Sequence, residues 1–103
     1  MAYVVTAVWT VKPGQEDIVS EAIAALVRPS RAEPGCRFYQ PYRDPDQPLV
    51  FRLFEIYDDE AAYRAHGESE HFQRLGFGQA IPALETRERA FFETFETFEP
   101  VEP

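Results

Sequence analysis

Residues Tyr3 to Val11 alternate with a period of two. Tyr3, Val5, Ala7, Trp9 and Val11 fall on one face of an extended chain, and Val4, Thr6, Val8 and Thr10 on the other. Both faces have apolar character, so the pattern predicts a strand covered on both sides. Lys12-Pro13-Gly14 breaks it. From Glu16 the period changes: Ile18, Ala22, Ala25 and Leu26, widened by Val19, Ile23 and Val27, trace the stripe of an amphipathic helix. Acidic Glu16 and Asp17 suit the positive end of its dipole. Pro29 is expected to end or kink it.

Glu33-Pro34-Gly35 reads as a turn, and Cys36 to Arg43 as a second strand with Phe38, Tyr39 and Tyr42. Asp44-Pro45-Asp46-Gln47-Pro48 reads as a hairpin loop. Leu49 to Tyr57 alternates most clearly: Leu49, Phe51, Leu53, Glu55 and Tyr57 share one face, Val50, Arg52, Phe54 and Ile56 the other. Asp58 or Asp59 is placed to cap a helix through Glu60, Ala61, Ala62, Tyr63 and Ala65. Gly67 weakens that helix, and Ser69 is placed to cap a second short one carrying His71, Phe72 and Leu75. Gly76-Phe77-Gly78 and Pro82 predict a loop. In Thr86 to Glu99, Phe92, Phe95 and Phe98 recur every third residue, which fits neither period. The Thr and Phe content favours a strand there.

The order β-α-β-β-α-β over residues 1–103 predicts a single α+β domain of the ferredoxin-like, split β-α-β kind. Helices then cover one face of the sheet. The other face keeps large apolar side chains, and a second copy of the chain, sheet against sheet, is the simplest cover. A homodimer is therefore expected, with Arg52 on its interface side.

Composition sharpens this picture. An aromatic share of 15% exceeds what a core of this size needs and suggests rings lining a cavity or an interface. Net charge is −8 and Lys12 is the sole lysine, which argues against nucleic acid and against an anionic membrane surface. No apolar run approaches the roughly 20 residues of a membrane helix. The N-terminus has neither a basic n-region nor a cleavage site, so no signal peptide is expected. Cys36 has no internal partner, which suits a reducing cytoplasm and a buried small hydrophobe.

Three features point to chemistry. His66 follows Tyr63 by three residues, so an imidazole and a phenol share a helix face, with Ala62 and Ala65 as expected core contacts beside them. Half buried against a sheet, such a histidine is suited to take a proton from a weakly acidic substrate. Glu55 falls in phase with Leu49, Phe51 and Leu53, so its carboxylate must be paired, hydrogen-bonded or facing a cavity. His66 and His71 lie five residues apart, about 140° around one helix, which does not make a metal pair; no metal is expected. Nucleophile elbows, a Cys-His-Asn set and phosphate-binding glycine loops are all missing from the sequence.

Lys12-Pro13-Gly14, Glu33-Pro34-Gly35-Cys36, Glu55-Ile56-Tyr57 followed by Asp59-Glu60 and Ala61-Ala62-Tyr63, and His66-x-x-Ser69-x-His71-Phe72 occur in this order. Together they resemble the landmarks of the antibiotic biosynthesis monooxygenase domains across about residues 3–98. The resemblance implies a dimeric α+β barrel with a pocket between sheet and helices. It also implies a cofactor-independent monooxygenase that oxidises a small phenol or hydroquinone with O₂, the substrate supplying the electrons. On that reading His66 is the base, with Tyr57 and Tyr63 beside it as catalytic groups. Glu55, Phe72, His71, Trp9 and Phe77 would bind the substrate. Tyr57 stands where the family usually has Trp. The haem-degrading branch uses an Asn, and this sequence has none. Two alternatives remain: an isomerase or cyclase acting on a small carbonyl compound, and a non-catalytic dimeric binding or stress-response module. A pocket plugged by Phe77 or Trp9 would favour the last.

Overall fold

The computed structural model describes residues 1–96. Strand β1 (Tyr3–Val11) leads into helix α1 (Glu16–Arg31), then strands β2 (Cys36–Tyr42) and β3 (Val50–Tyr57). Helix α2 (Glu60–Glu68), a π-helix (Phe72–Ala80) and a short 3₁₀ turn (Ile81–Ala83) precede strand β4 (Leu84–Glu93). The four strands form an antiparallel sheet in the order β2-β3-β1-β4. This is the ferredoxin-like α+β arrangement predicted from the periodicities.

Register explains which residues meet. Trp9 lies opposite Phe51 and Arg87, Ala7 opposite Leu53 and Arg89, and Val5 opposite Glu55 and Phe91. That face is covered by α1, α2 and the π-helix. Its core combines Trp9, Val11, Phe51 and Leu53 with Val19, Ile23 and Leu26 of α1 and Phe72 and Leu75 of the π-helix. The buried stripe of α1 is centred on Val19, Ala22, Ile23, Leu26 and Ser30. Ile18 and Ala25, expected in the stripe, face outward. The opposite sheet face carries Phe38, Phe54, Ile56 and Phe92, and Tyr42 beside Arg52. Phe38, Tyr42 and Phe92 are exposed there.

Local chemistry sets the boundaries. Gly14 adopts φ +87°, a left-handed turn that a residue with a Cβ resists. Pro29 does not end α1, which continues to Arg31. The N–H groups that follow still find carbonyls, Ala32 to Arg28 and Glu33 to Ser30, so a proline this close to the C-terminus costs little. Arg31 then donates from Nε and Nη2 to the Tyr39 carbonyl at 3.0 and 2.9 Å, tying the helix end to β2. Asp59, rather than Asp58, caps α2 by accepting from the Ala62 N–H at 2.8 Å. Ala62 packs inward, whereas Ala65, also expected in the core, is exposed.

Two expectations are corrected downstream. Gly76-Phe77-Gly78 is not a loop but the middle of the π-helix. A Cβ on Gly76 would lie 2.9 Å from the Phe72 ring, so this glycine makes room for that ring to fold back on its own helix. The last strand begins at Leu84 and ends at Glu93, with Phe95 in a bend beyond it. Antiparallel pairing to β1 runs to Tyr3↔Glu93, and one further contact follows, where the Thr94 N–H donates to the Ala2 carbonyl and the Ala2 N–H to Thr94 Oγ1, each at 3.0 Å. Phe98 and Glu99 lie outside the described residues.

Gly35 fastens α2 to the hairpin. Its carbonyl accepts from the Asp58 N–H at 2.9 Å, and a Cβ there would lie 2.5 Å from the Ala62 Cβ. Gly35→Ala is therefore expected to cost about 1–3 kcal/mol through overpacking. That lowers the melting temperature by roughly 4–8 °C per kcal/mol. Adding Ala62→Gly should recover part of the loss; an unchanged melting temperature in the single variant contradicts the contact.

Candidate active site

Between the helix-covered sheet face, α2 and the π-helix lies a cavity of about 560 Å³. Ala7 and Trp9 contribute the β1 side, with Glu55 from β3 and Arg87, Arg89 and Phe91 from β4. Tyr63 and His66 of α2 and Phe72 and Phe77 of the π-helix line its helix side. Small Ala7 between Val5 and Trp9 leaves depth at the centre, so neither Trp9 nor Phe77 plugs the space.

His66 is 3% exposed and packed among rings, 4.9 Å from Phe72 and 5.6 Å from Tyr57 between centroids. Its Nδ1 meets Glu33 Oε2 at 2.8 Å. His71 Nε2 meets the same oxygen at 2.5 Å. A carboxylate only accepts, so each ring places an N–H on that oxygen. The proton on Nδ1 leaves the lone pair of a neutral His66 on Nε2, which sits 4.0 Å from Glu55 Oε1 on the cavity side. The two histidines thus converge, contrary to the divergence expected from their spacing. The reason is a break at Ser69. Its hydroxyl donates to the His66 carbonyl at 2.6 Å and accepts from the Phe72 N–H at 3.2 Å, turning the chain between two helices.

Glu33 Oε2, His66 Nδ1 and His71 Nε2 all lie within 4.8 Å of one another, donors of the kind that bind a divalent ion. At 2.5–2.8 Å the present contacts are hydrogen bonds, shorter than the separation of two ligands on one ion.

Glu55 is 5% exposed and accepts from the Tyr57 hydroxyl at 2.5 Å. Burial raises its carboxyl above the ordinary range; the Tyr57 hydrogen bond, His66 and Arg87 act in the opposite direction without cancelling it. The Tyr57 phenol is also pushed up, by burial and then by the neighbouring Glu55. It remains a donor. Arg87 has its guanidinium pKa lowered by burial, then by Arg89. Arg89 Nη1 donates to the Tyr63 hydroxyl at 3.0 Å.

Of the residues singled out in the sequence, His66, Tyr63, Glu55, Phe72, Trp9 and Phe77 share the cavity. Tyr57 is fully buried behind Glu55, and His71 lies behind His66; neither is in the wall. Sequence reasoning missed Glu33, taken only as part of a turn, and the pair Arg87 and Arg89. The period-two run Arg87, Arg89, Phe91 was the available signal, obscured by the threefold spacing of the phenylalanines. Cys36 is half-buried outside the cavity, its thiol pushed up to about 11, chiefly by burial.

A ferredoxin-like domain with an oriented imidazole facing an aromatic-walled hollow defines the class. Residues 2–75 match the sequence model of the family described as antibiotic biosynthesis monooxygenase, and the chain belongs to that family. It is 41% identical over 64 residues to YcnE of Bacillus subtilis, covering 61% of this chain and 66% of YcnE. It is 32% identical over 65 residues to sll1783 of Synechocystis, covering 63% of this chain but only 44% of that protein. The crystal structure of PA3566 from Pseudomonas aeruginosa superposes with a TM-score of 0.84 at 30% identity, covering 92% of this chain and 95% of the other. Among the described residues no helix is long and apolar enough to cross a membrane.

The Glu55 carboxyl has a testable thermodynamic consequence. Its folded pKa exceeds its unfolded one, so the folded state holds the proton more tightly. Stability is then lost as pH rises from the unfolded carboxylate value, about 4.3, toward the folded one. Glu55→Gln, which keeps an acceptor for Tyr57, should melt higher than the natural protein at pH 8. The difference should shrink as pH falls toward 4. A melting temperature lower than the natural protein's at pH 8 contradicts the assignment.

Proposed function

We propose that the chain is a cofactor-independent monooxygenase for a small phenol or hydroquinone, with His66 as the proton acceptor. The observation that carries this is the Glu33–His66 hydrogen bond, which leaves Nε2 as the basic nitrogen beside a cavity large enough for an aromatic ring. In the proposed reaction His66 Nε2 takes the phenolic proton, and Glu33 stabilises the imidazolium formed. The electron-rich phenolate reduces O₂; one oxygen atom bonds to the ring carbon, and the other leaves as water after the O–O bond breaks. For a phenol giving a quinone, the substrate loses four electrons and O₂ gains four. Phe72, Phe77 and Tyr63 hold the ring and exclude water, which raises the energy of the ground-state anion relative to its delocalised successor. Membership of a monooxygenase family supports the reaction class; the substrate and the use of O₂ belong to the proposal.

The same reading includes a homodimer. Exposed Phe38 and Phe92 and half-buried Phe54 on the open sheet face, with exposed Tyr42 near its edge, are suited to a second sheet. Phe54→Glu is expected to convert a dimeric sedimentation mass to a monomeric one. A natural protein that sediments as a monomer contradicts the dimer.

Oxygen uptake with a substituted hydroquinone tests the chemistry. His66→Ala should lower kcat about 10²–10⁴-fold, the range of a lost general base. Glu33→Gln, acting through His66, should lower kcat less and shift the pH profile of kcat/KM while leaving KM unchanged. Turnover by His66→Ala at the natural rate would end the proposal. Substrate conversion without oxygen uptake would favour an isomerase or cyclase instead.

A further inference from the structure

The cavity has a second polar end that the acid–base group does not use. Trp9 and Arg87 are cross-strand neighbours on β1 and β4 and both line the cavity. Trp9 is 2% exposed, and its Nε1–H is buried with no hydrogen-bond partner among the described residues. The Nε–H of Arg87 is in the same condition. The guanidinium is held in place by three rings, with Cζ 5.9 Å from the Trp9 centroid, 5.7 Å from Phe72 and 5.6 Å from Phe77. Ring faces hold the cation but accept none of its in-plane N–H bonds.

A buried donor left unmade costs about 1–3 kcal/mol. Two such donors, on residues that pair across β1 and β4 and both line the cavity, are a cost that an acceptor from outside would remove. Arg89, on the same face of β4, adds positive charge in a chain of net charge −8. Phe72 lies between the two polar ends, its ring 4.9 Å from that of His66 and 5.7 Å from the Arg87 Cζ, so a single aromatic ring can present a hydroxyl toward His66 and an anionic group toward Arg87.

We propose that Trp9 Nε1 and the Arg87 guanidinium form a subsite for an anionic oxygen, a carboxylate borne by the aromatic substrate. The inference rests on the cavity being the substrate site, but its test needs no turnover. Trp9 is the sole tryptophan, so its emission, excited at the red edge of absorption, reports occupancy directly. Titration of the full chain with 4-hydroxybenzoate and with 4-hydroxybenzamide compares an anion with a neutral molecule of nearly equal size. The acid should perturb Trp9 emission and bind at least about tenfold tighter than the amide, a difference of about 1.4 kcal/mol. Arg87→Gln should abolish that preference, and Arg87→Lys should keep part of it through charge without the planar fork. Equal binding of acid and amide, or no binding of the acid at millimolar concentration, overturns the subsite. If Arg87→Gln does not fold, the comparison on the natural protein still decides. A failed subsite with normal oxygen uptake leaves the monooxygenase reading standing. A confirmed subsite without uptake retains the ligand class alone.

Discussion

One carboxylate oxygen organises this domain's polar interior. Glu33 Oε2, in the turn between α1 and β2, receives His66 from α2 and His71 from the start of the next helix. The α1–β2 turn is thereby joined to two successive helices more than 30 residues further along the chain, beneath a cavity. Without Glu33 the nearly buried His66 would lose the acceptor that holds its proton on Nδ1, and Glu55, 4.0 Å from Nε2, would be left beside the ring. The direction in which the lone pair points depends on this contact, as does the tilt of the ring against Phe72 and Tyr57. The Ser69 turn makes the contact possible, since a continuous helix would send the two imidazoles apart.

The cavity is electrically uneven. At one end Glu55 is kept from water and receives a proton donor from Tyr57; at the other, Arg87 is clasped by rings and Arg89 lies nearby. Each of these groups carries a desolvation cost that an apolar side chain would avoid. The sheet could have closed over leucines at both positions. Costly polar groups retained beside a hollow are the usual mark of binding or catalysis rather than of folding. The π-helix belongs to the same pattern. Wider than an α-helix and lined with glycine, it lets Phe72 fold back so that the ring touches both His66 and Arg87.

Much of the fold was legible because alternation and helical period are direct consequences of burial. Tyr3 to Val11 and Leu49 to Tyr57 alternate clearly, and the strands lie where that pattern puts them. Glu55 stood out as a carboxylate in an apolar phase, and His66 with Tyr63 as a pair on one helix face. Pairings between distant segments were illegible. Nothing in the local sequence says that Glu33 will reach His66, or that Arg87 will lie across from Trp9, because sheet register and helix docking decide both. Gly76 and Gly78 misled for a physical reason as well. Glycine normally weakens a helix, but here the missing Cβ serves a close ring contact inside one.

The central claim is that Glu33 fixes the Nδ1–H tautomer of His66 and leaves Nε2 basic toward the cavity. Nitrogen-15 NMR of the labelled protein, at a pH where imidazole is neutral, reads each ring nitrogen separately. The predicted spectrum has a protonated, pyrrole-type Nδ1 and an unprotonated, pyridine-type Nε2 for His66, with that distinction lost in Glu33→Ala, which removes the acceptor. A protonated Nε2 with a bare Nδ1 would contradict the account, because the nitrogen facing the cavity would then have no lone pair to offer.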